Sequence, residues 1–434
     1  MPGLTLGYTT PSTEFAMPIA LEAPAAGTAT YVARQPIFTR SKRLFGYELL
    51  FRSGDTAVFP DIDGDTATAQ VLSHSLLNWN FEQLTNGRVA LINFTGNLLR
   101  EQLPLLFPVD KVIVEVLESV EPTEEILAAC RKLVRRGFTL ALDDFVYREE
   151  LRPLIELAGL IKIDFMGVTP DDIRRTLAHI GPTRARFLAE KVETYAEFQQ
   201  AQDMGFSLFQ GYFFSKPETV RGRDIHPGRS NLLGILGEIQ GTDCHFGRLE
   251  TIFKADVSLA FKLLQIVNSA YYRRSNAITS VRHALTYLGC RDIYRLVTVL
   301  VISELANDKP KELLRQALIR ARFCERLSEE TPARDRAPQA FLTGLFSNLD
   351  AVLDDRLEAI LAQLPLAGDI KQALLAGDNC LGEILALVTL YEKGDWDACT
   401  LAAGQHSCPM PRVTEHYVDA LQWADGILTP TGFA

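Results

Sequence analysis

Residues 111–144 read KVIVEVLESVEPTEEILAACRKLVRRGFTLALDD, and this stretch decides the fold. Two short apolar runs, KVIVEVLE and FTLALDD, flank a segment with helical character. From Pro122 to Gly137, acidic residues crowd the start and Ile126, Cys130, Leu133 and Val134 recur on one face. Gly137 supplies the stop. Strand, helix, strand is the unit of a parallel sheet. Outward in both directions the unit repeats. The apolar runs, from Tyr31 on, are YVARQPIF, LFGYELLF, VALINF, KVIVEVLE, FTLALDD, GLIKID, RFLAEKVE and FSLFQGYFF. An α/β fold with a mainly parallel sheet follows.

The runs share a second property. Glu48, Asn93, Glu115, Asp143, Lys162 and Glu190 lie at or near their C-terminal ends. A barrel of parallel strands builds its site there, from several strands at once. A doubly wound sheet places its site at one switch point, so the barrel is the better reading. The span from Tyr31 to about Thr219 is short against the roughly 250 residues typical of such barrels, which predicts trimmed helices or loops. Any one of the six residues alone reads as a polar strand cap, whereas six in this order read as a site.

Glu48, Asn93, Glu115 and Asp143 form an oxygen-rich set that suits Mg²⁺ or Mn²⁺, and also Ca²⁺, rather than zinc. Asp144 is placed to help hold a second ion. Burial near cations is expected to lower the Lys162 pKa, so that Lys162 positions or deprotonates water. The inventory fits in-line attack of water on a phosphodiester.

Around the barrel the chain divides into an N-terminal tail over 1–29, the barrel over 30–222 and a helical domain over 223–434. The tail is rich in Ala, Pro, Thr and Ser without period, which suits a flexible segment. RGRDIHPGRS, starting at Arg221, reads as a linker. Beyond Ser230 strand signals nearly vanish. Leu259, Leu263, Leu264 and Val267 sit at helical spacing, and a second helix starts at Ser280 and stops at Gly289.

The 434 residues carry a net charge of −10, 47% hydrophobic and 23% charged residues. That balance argues against broad nucleic-acid binding, which needs a concentrated cationic surface. The basic stretches Arg131 to Arg136 and Arg315 to Arg326 read as solvated helix faces. No apolar run is long enough to span a bilayer, and the first thirty residues lack the pattern of a secretion signal. A cytoplasmic location is expected. Seven cysteines without a C-x-x-C pair read as reduced thiols. Cys399, His406, Cys408 and His416 match no common zinc spacing.

The motifs resemble the EAL family of cyclic-di-GMP phosphodiesterases. Glu48-Leu49-Leu50, preceded by Gln35-Pro36-Ile37 and followed by Arg52, stands where that family has its namesake Glu-Ala-Leu. The resemblance implies metal binding by Glu48, Asn93 of LINF, Glu115 of EVLE and Asp143 of Asp143-Asp144-Phe145. It implies contact of Arg52 with the cyclic dinucleotide and support of the catalytic loop by Glu118. Lys162-Ile163-Asp164, Glu190 and Glu193 of AEKVE, and Gln210-Gly211-Tyr212 complete the match. Lys162, Glu190, Asp144 and Glu118 are thereby the catalytic candidates, and Gln35, Arg52, Asp164, Glu193 and Gln210 the ligand-binding ones.

The chain also departs from that pattern. Leu49 replaces the Ala, Lys191 replaces the Gly of Ala-Glu-Gly-Val-Glu, and Val146-Tyr147-Arg148 stands in place of a glycine-rich loop. Because glycine permits positive φ, that loop is expected to leave the family's path. FRSGDTAVFPDIDGDTATA lacks the family's Phe-Ile-Pro and Ala-Glu signature. These changes look like the subgroup of EAL domains fused to HDOD modules. KADVSLAFKLLQIVNSAYY and ITSVRHALTYLGCRDI resemble the HDOD signature, a helical relative of HD phosphohydrolases that acts in protein contact. No histidine here is followed by Asp. His283 reads as a structural side chain, and Asn268 and Ser269 as a helix cap or break. Two functions follow from the resemblance. One is a regulator whose barrel binds metal and cyclic-di-GMP with weak or no turnover, its HDOD half engaging protein partners, with a homo-oligomer compatible. The other is a working phosphodiesterase that yields pGpG.

Overall fold

The computed structural model describes residues 30–53, 81–216, 250, 257–268, 278–306, 309–364 and 366–428. The expected tail, the linker from Arg221 and most of FRSGDTAVFPDIDGDTATA lie outside the described residues. All eight apolar runs form strands: β1 (Thr30–Thr39), β2 (Leu44–Ser53), β3 (Val89–Phe94), β4 (Val112–Val116), β5 (Thr139–Leu142), β6 (Leu160–Asp164), β7 (Arg186–Glu190) and β8 (Leu208–Gln210). They close a barrel in sequence order.

Strands β2 to β8 are parallel, but β1 runs antiparallel to both of its neighbours. The reason is chain length. Only Arg40 to Arg43 join β1 to β2, enough for a hairpin, whereas a parallel crossover takes a dozen or more residues. Thr39 and Arg43 pair across that turn, and Lys42 takes the positive φ it needs.

Between the strands lie α1 (Phe81–Thr85), α2 (Gly96–Arg100), α3 (Glu124–Arg135), α4 (Arg152–Leu157), α5 (Pro170–Ile180) and α6 (Tyr195–Asp203). Helices α2 and α4 have only five and six residues, which is the trimming that the short span predicts. Helix α3 shows why the sequence folds locally as it does. The Thr123 hydroxyl accepts the Ile126 N–H as N-cap, Ile126, Cys130 and Leu133 are buried, and Gly137 takes a φ of 96° just past the end.

The barrel interior is layered. Leu91, Ile113, Ala141, Leu160, Leu188 and Leu208 form one apolar plug with Ile37. Each lies two residues before Asn93, Glu115, Asp143, Lys162, Glu190 or Gln210. Side chains alternate along a strand, so these pairs share the inward face. The polar layer therefore sits on a dry floor at the C-terminal mouth of β2 to β8.

The rest of the described chain holds helices and no strand: α7 (Val257–Val267), α8 (Val281–Leu305), α9 (Lys311–Glu329), α10 (Ala337–Phe346), α11 (Leu349–Leu353), α12 (Leu357–Gln363), α13 (Gly368–Leu375), α14 (Cys380–Lys393), α15 (Trp396–Gln405) and α16 (Met410–Leu428). Ser280 caps α8 by accepting the His283 N–H, and Gly289 breaks the helix with a φ of 71°. The His283 side chain is exposed and holds no core together. Asn268 ends α7 and clamps the Ile278 backbone through both amide atoms, at 2.7 and 2.8 Å. Among the described residues no single helix is long and apolar enough to cross a membrane. The described cysteines Cys130, Cys324, Cys380, Cys399 and Cys408 are free thiols.

The second basic stretch is not a solvated face. Arg315, Arg320 and Arg322 of α9 are buried. Arg315 pairs with Glu312 and Asp425, Arg320 with Glu392, and Arg322 with Glu325 and Asp419. Carboxylates on α14 and α16 compensate these cations, and periodicity within one helix carries no sign of partners so distant in sequence. Arg131, Lys132, Arg135 and Arg136 are exposed as expected.

The helical half docks on the antiparallel side of the barrel through buried polar contacts. The Tyr47 hydroxyl donates to Glu312 Oε2 at 3.1 Å, with the Arg34 guanidinium 4.3 Å above its ring. The Tyr391 hydroxyl donates to the Val32 carbonyl at 2.9 Å and lies 3.0 Å from the Thr414 hydroxyl. At the rim, Gly394 follows α14 with a φ of 71°, and a Cβ there would lie 2.6 Å from Leu50 Cδ1. Glycine takes this left-handed turn against β2 without strain.

Candidate active site

At the mouth, one ammonium stands among four carboxylates. Lys162 Nζ lies 2.6 Å from Asp143 Oδ1, 2.7 Å from Glu115 Oε1, 2.8 Å from Glu190 Oε1 and 3.4 Å from Glu48 Oε2. Lys162 is 1% exposed and Glu115 fully buried. Strand register brings them together: Asn93 lies beside Glu115, and Glu190 beside Asp164 two residues past Lys162. With every acid ionised, four carboxylates and one ammonium carry a formal −3.

That imbalance sets the proton affinities. Burial pushes Glu115 well above the usual carboxylate range, Glu48 and Asp143 add to the push, and Lys162 opposes it. Burial likewise drives Glu190 up to about 8, against the pull of Lys162 and with Asp143 and Glu48 adding. For Lys162, burial disfavours the ammonium, but Glu115, Glu190, Glu48 and Asp143 outweigh it and hold the group well above its ordinary value. The expectation of a lowered Lys162 is therefore corrected. Its neighbours in this ring are anions, which favour the ammonium over the free amine.

Gln210 and Gln35 hold Glu48 in place. Gln210 Nε2 donates to Glu48 Oε2 at 2.6 Å and to Gln35 Oε1 at 2.8 Å, and Gln35 Nε2 donates to the Lys393 carbonyl at 3.2 Å. Gly211 permits this. Its φ is 140°, and a Cβ there would come 2.2 Å from the Val192 carbonyl oxygen. Asn93 Nδ2 reaches Glu48 Oε1 at 3.5 Å.

A divalent ion fits this set by two observations. Asn93 Oδ1, Glu115 Oε2, Glu190 Oε2 and Gln210 Oε1 are buried without a hydrogen-bond partner, an orphaned group of hard oxygen acceptors. The formal −3 also calls for more positive charge than Lys162 brings. Among the described residues no three His, Cys, Asp or Glu side chains already stand in metal-holding geometry. The Lys162 ammonium holds the centre of the ring.

The other candidates fall around the rim. Asp164 Oδ1 accepts the Met166 N–H and Oδ2 the Lys191 ammonium, each at 2.6 Å. Glu193 is exposed and pairs with Lys216 at 3.0 Å. Glu118 is exposed, lies beside the 143–148 loop and makes no hydrogen bond to it among the described residues. The Arg52 side chain lies outside the described residues. The loop after Asp143 turns at Asp144 itself, with a φ of 38°, and no residue from Phe145 to Arg148 has a positive φ. Phe145 N–H then bonds the Lys162 carbonyl at 3.0 Å. The lack of glycine at 146–148 thus imposes no backbone conflict on the path taken.

A cavity of about 420 Å³ opens over the ring, within the roughly 300–1,000 Å³ of small-molecule sites. Glu48, Asp143, Asp144 and Glu190 line one side. Lys393, Gly394 and Trp396 of the helical half line another. Sequence reading of the strand runs misses that wall, because its residues lie some two hundred positions later in the chain.

The fold and site define a class: an α/β barrel with an acidic, lysine-centred mouth, docked on a helical module. A family model described as the HDOD domain matches residues 230–364. A protein of Vibrio cholerae named cyclic di-GMP phosphodiesterase CdgJ is 38% identical, over 92% of this chain and 93% of its own. The Bacillus subtilis protein YuxH, uncharacterized by name, is 34% identical over 92% of this chain and 98% of its own. A solved structure of a standalone EAL protein from Vibrio cholerae, in its cyclic-di-GMP-bound form, is 24% identical, with a TM-score of 0.35. It covers 44% of this chain and 93% of that one. The chain belongs to the family of two-module signalling proteins in which an EAL-type barrel precedes an HDOD domain.

Proposed function

We propose that the barrel mouth takes a divalent cation and cyclic-di-GMP, and opens the cyclic dinucleotide to linear pGpG, while the helical half engages protein partners. The observation that carries this reading is the ring of Glu48, Glu115, Asp143 and Glu190 around Lys162, with orphaned oxygens beside it. The name of the Vibrio cholerae relative, which matches over nearly the whole chain, supports it.

Glu48, Asn93, Glu115 and Asp143 hold the ion, Mg²⁺ or Mn²⁺, with Ca²⁺ able to take the same oxygens. When bound, the ion offsets carboxylate charge and acts as a Lewis acid toward the phosphodiester. Lys162 keeps the carboxylates gathered and presents positive charge to a phosphate. Burial pushes Glu190 up to about 8, and its carboxyl lines the cavity, where it would pass a proton to and from water. Hydrolysis adds that water's oxygen to phosphorus as one P–O ester bond opens, and the leaving oxygen gains a proton.

One observation favours a second reading, a mouth that binds the dinucleotide with little turnover. The Lys191 ammonium stands 3.9 Å from Asp144, so the second of the two adjacent aspartates already faces a cation. Calorimetry with cyclic-di-GMP in Ca²⁺, beside product analysis in Mg²⁺ or Mn²⁺, separates the two. Binding with product supports the first reading, binding without product the second, and no binding contradicts both.

A further inference from the structure

We propose that the Lys191 ammonium is a built-in cation at Asp144 and Asp164, which keeps a divalent ion from settling on that pair. The inference deepens the proposed function and rests on it for the first ion.

Three observations carry it. First, Lys191 Nζ lies 2.6 Å from Asp164 Oδ2 and 3.9 Å from Asp144 Oδ1, so one ammonium faces both carboxylates at the rim of the 420 Å³ cavity. Second, Lys191 has a φ of 51°, a left-handed backbone that side-chain-bearing residues adopt at a cost and glycine adopts freely. A strained position that carries a charged side chain aimed at two acids is a position where the charge matters. Third, the backbone on both sides is fixed. Phe165 N–H bonds the Glu190 carbonyl at 3.1 Å, Val192 N–H bonds the Gln210 carbonyl at 3.0 Å, and Phe213 N–H bonds the Val192 carbonyl at 3.1 Å. The Cα of Lys191 is therefore pinned, and its reach toward Asp144 and Asp164 comes from the fold.

A doubly charged ion at Asp144 would have to sit beside this ammonium and be repelled by it. The ammonium in turn brings one of the two positive charges such an ion would bring, without depending on its concentration. Lys162 and Lys191 then mark the two halves of the mouth. Lys162 lies inside the carboxylate ring whose charge it leaves at a formal −3, whereas Lys191 leaves the outer pair at a formal −1.

The test is Ca²⁺ binding by the full-length protein, measured by calorimetry and by elemental analysis after gel filtration in Ca²⁺, with and without cyclic-di-GMP. The parent is compared with Lys191→Gly, which also relieves the backbone, and with Lys191→Arg, which keeps the charge. The inference expects Lys191→Gly to bind one more equivalent of Ca²⁺ than the parent, and Lys191→Arg to bind the same number as the parent. Equal stoichiometry in the parent and Lys191→Gly overturns it, as does a gain in Lys191→Arg. The number bound by the parent tests the proposed function separately. One equivalent agrees with it, and none contradicts the cation site whatever the difference between variants.

Discussion

Replacing Lys162 by methionine takes the only ammonium from the centre of four carboxylates while keeping most of the side chain's length. Three of those contacts are 2.6 to 2.8 Å, and the group is 1% exposed. Removing one partner of a buried ion pair costs about 3–5 kcal/mol, because the remaining charge is left uncompensated. The carboxylates can escape that cost by protonation, so the loss depends on pH. Without Lys162 the folded-state pKa values of Glu115 and Glu190 rise further above their unfolded values of roughly 4.3. The folded state then holds more protons than the unfolded one, and stability falls as pH rises from that unfolded value through the folded ones. For Glu190 the parent value is already about 8. Urea unfolding in EDTA, followed by circular dichroism, should show a loss of about 3–5 kcal/mol at pH 8.5. At pH 5 the loss should be clearly smaller, with the slope in urea unchanged at both. An equal loss at both pH values, or a variant as stable as the parent at pH 8.5, would refute the view that Lys162 compensates this ring.

In the metal-free parent, the raised Glu115 and Glu190 predict a fall in melting temperature between pH 5 and 8.5. Millimolar Mg²⁺, Mn²⁺ or Ca²⁺ should reverse it, by about 2.7 kcal/mol at a hundredfold excess over Kd. A melting temperature indifferent to metal counts against the site. Tyr391→Phe leaves the buried Val32 carbonyl without its hydroxyl donor across the two modules. It should cost about 1–3 kcal/mol in urea, and a neutral effect would show that the contact does not hold the modules together. Glycines at 146 and 148 should leave turnover unchanged, since Phe145 to Arg148 have no positive φ. A gain in rate would restore the loop as the limiting feature.

Much of this molecule was legible from periodicity. The eight apolar runs became the eight strands, and six polar strand-end residues became one layer, because inward side chains at i and i+2 share a face. The reversed β1 was not read from the sequence, although only four residues separate it from β2, too few for a parallel crossover. The charge of Lys162 was not. Its sign of shift depends on which ions surround it, and strand spacing does not tell that four carboxylates outweigh burial. The same limit hid the buried Arg315, Arg320 and Arg322, whose partners on α14 and α16 lie far off in sequence. Lys191 was visible only as a missing glycine. Its pairing with Asp164 and Asp144 emerges from the close of β6 and β7 at one rim.

The central claim is that the ring around Lys162 opens cyclic-di-GMP. The purified full-length protein is incubated with cyclic-di-GMP and Mg²⁺ or Mn²⁺, beside Glu48→Ala, and the nucleotides are separated by chromatography. The parent should yield pGpG, with none in EDTA and none from Glu48→Ala. Unchanged cyclic-di-GMP in a parent that binds it, or pGpG formed equally by Glu48→Ala, would contradict it.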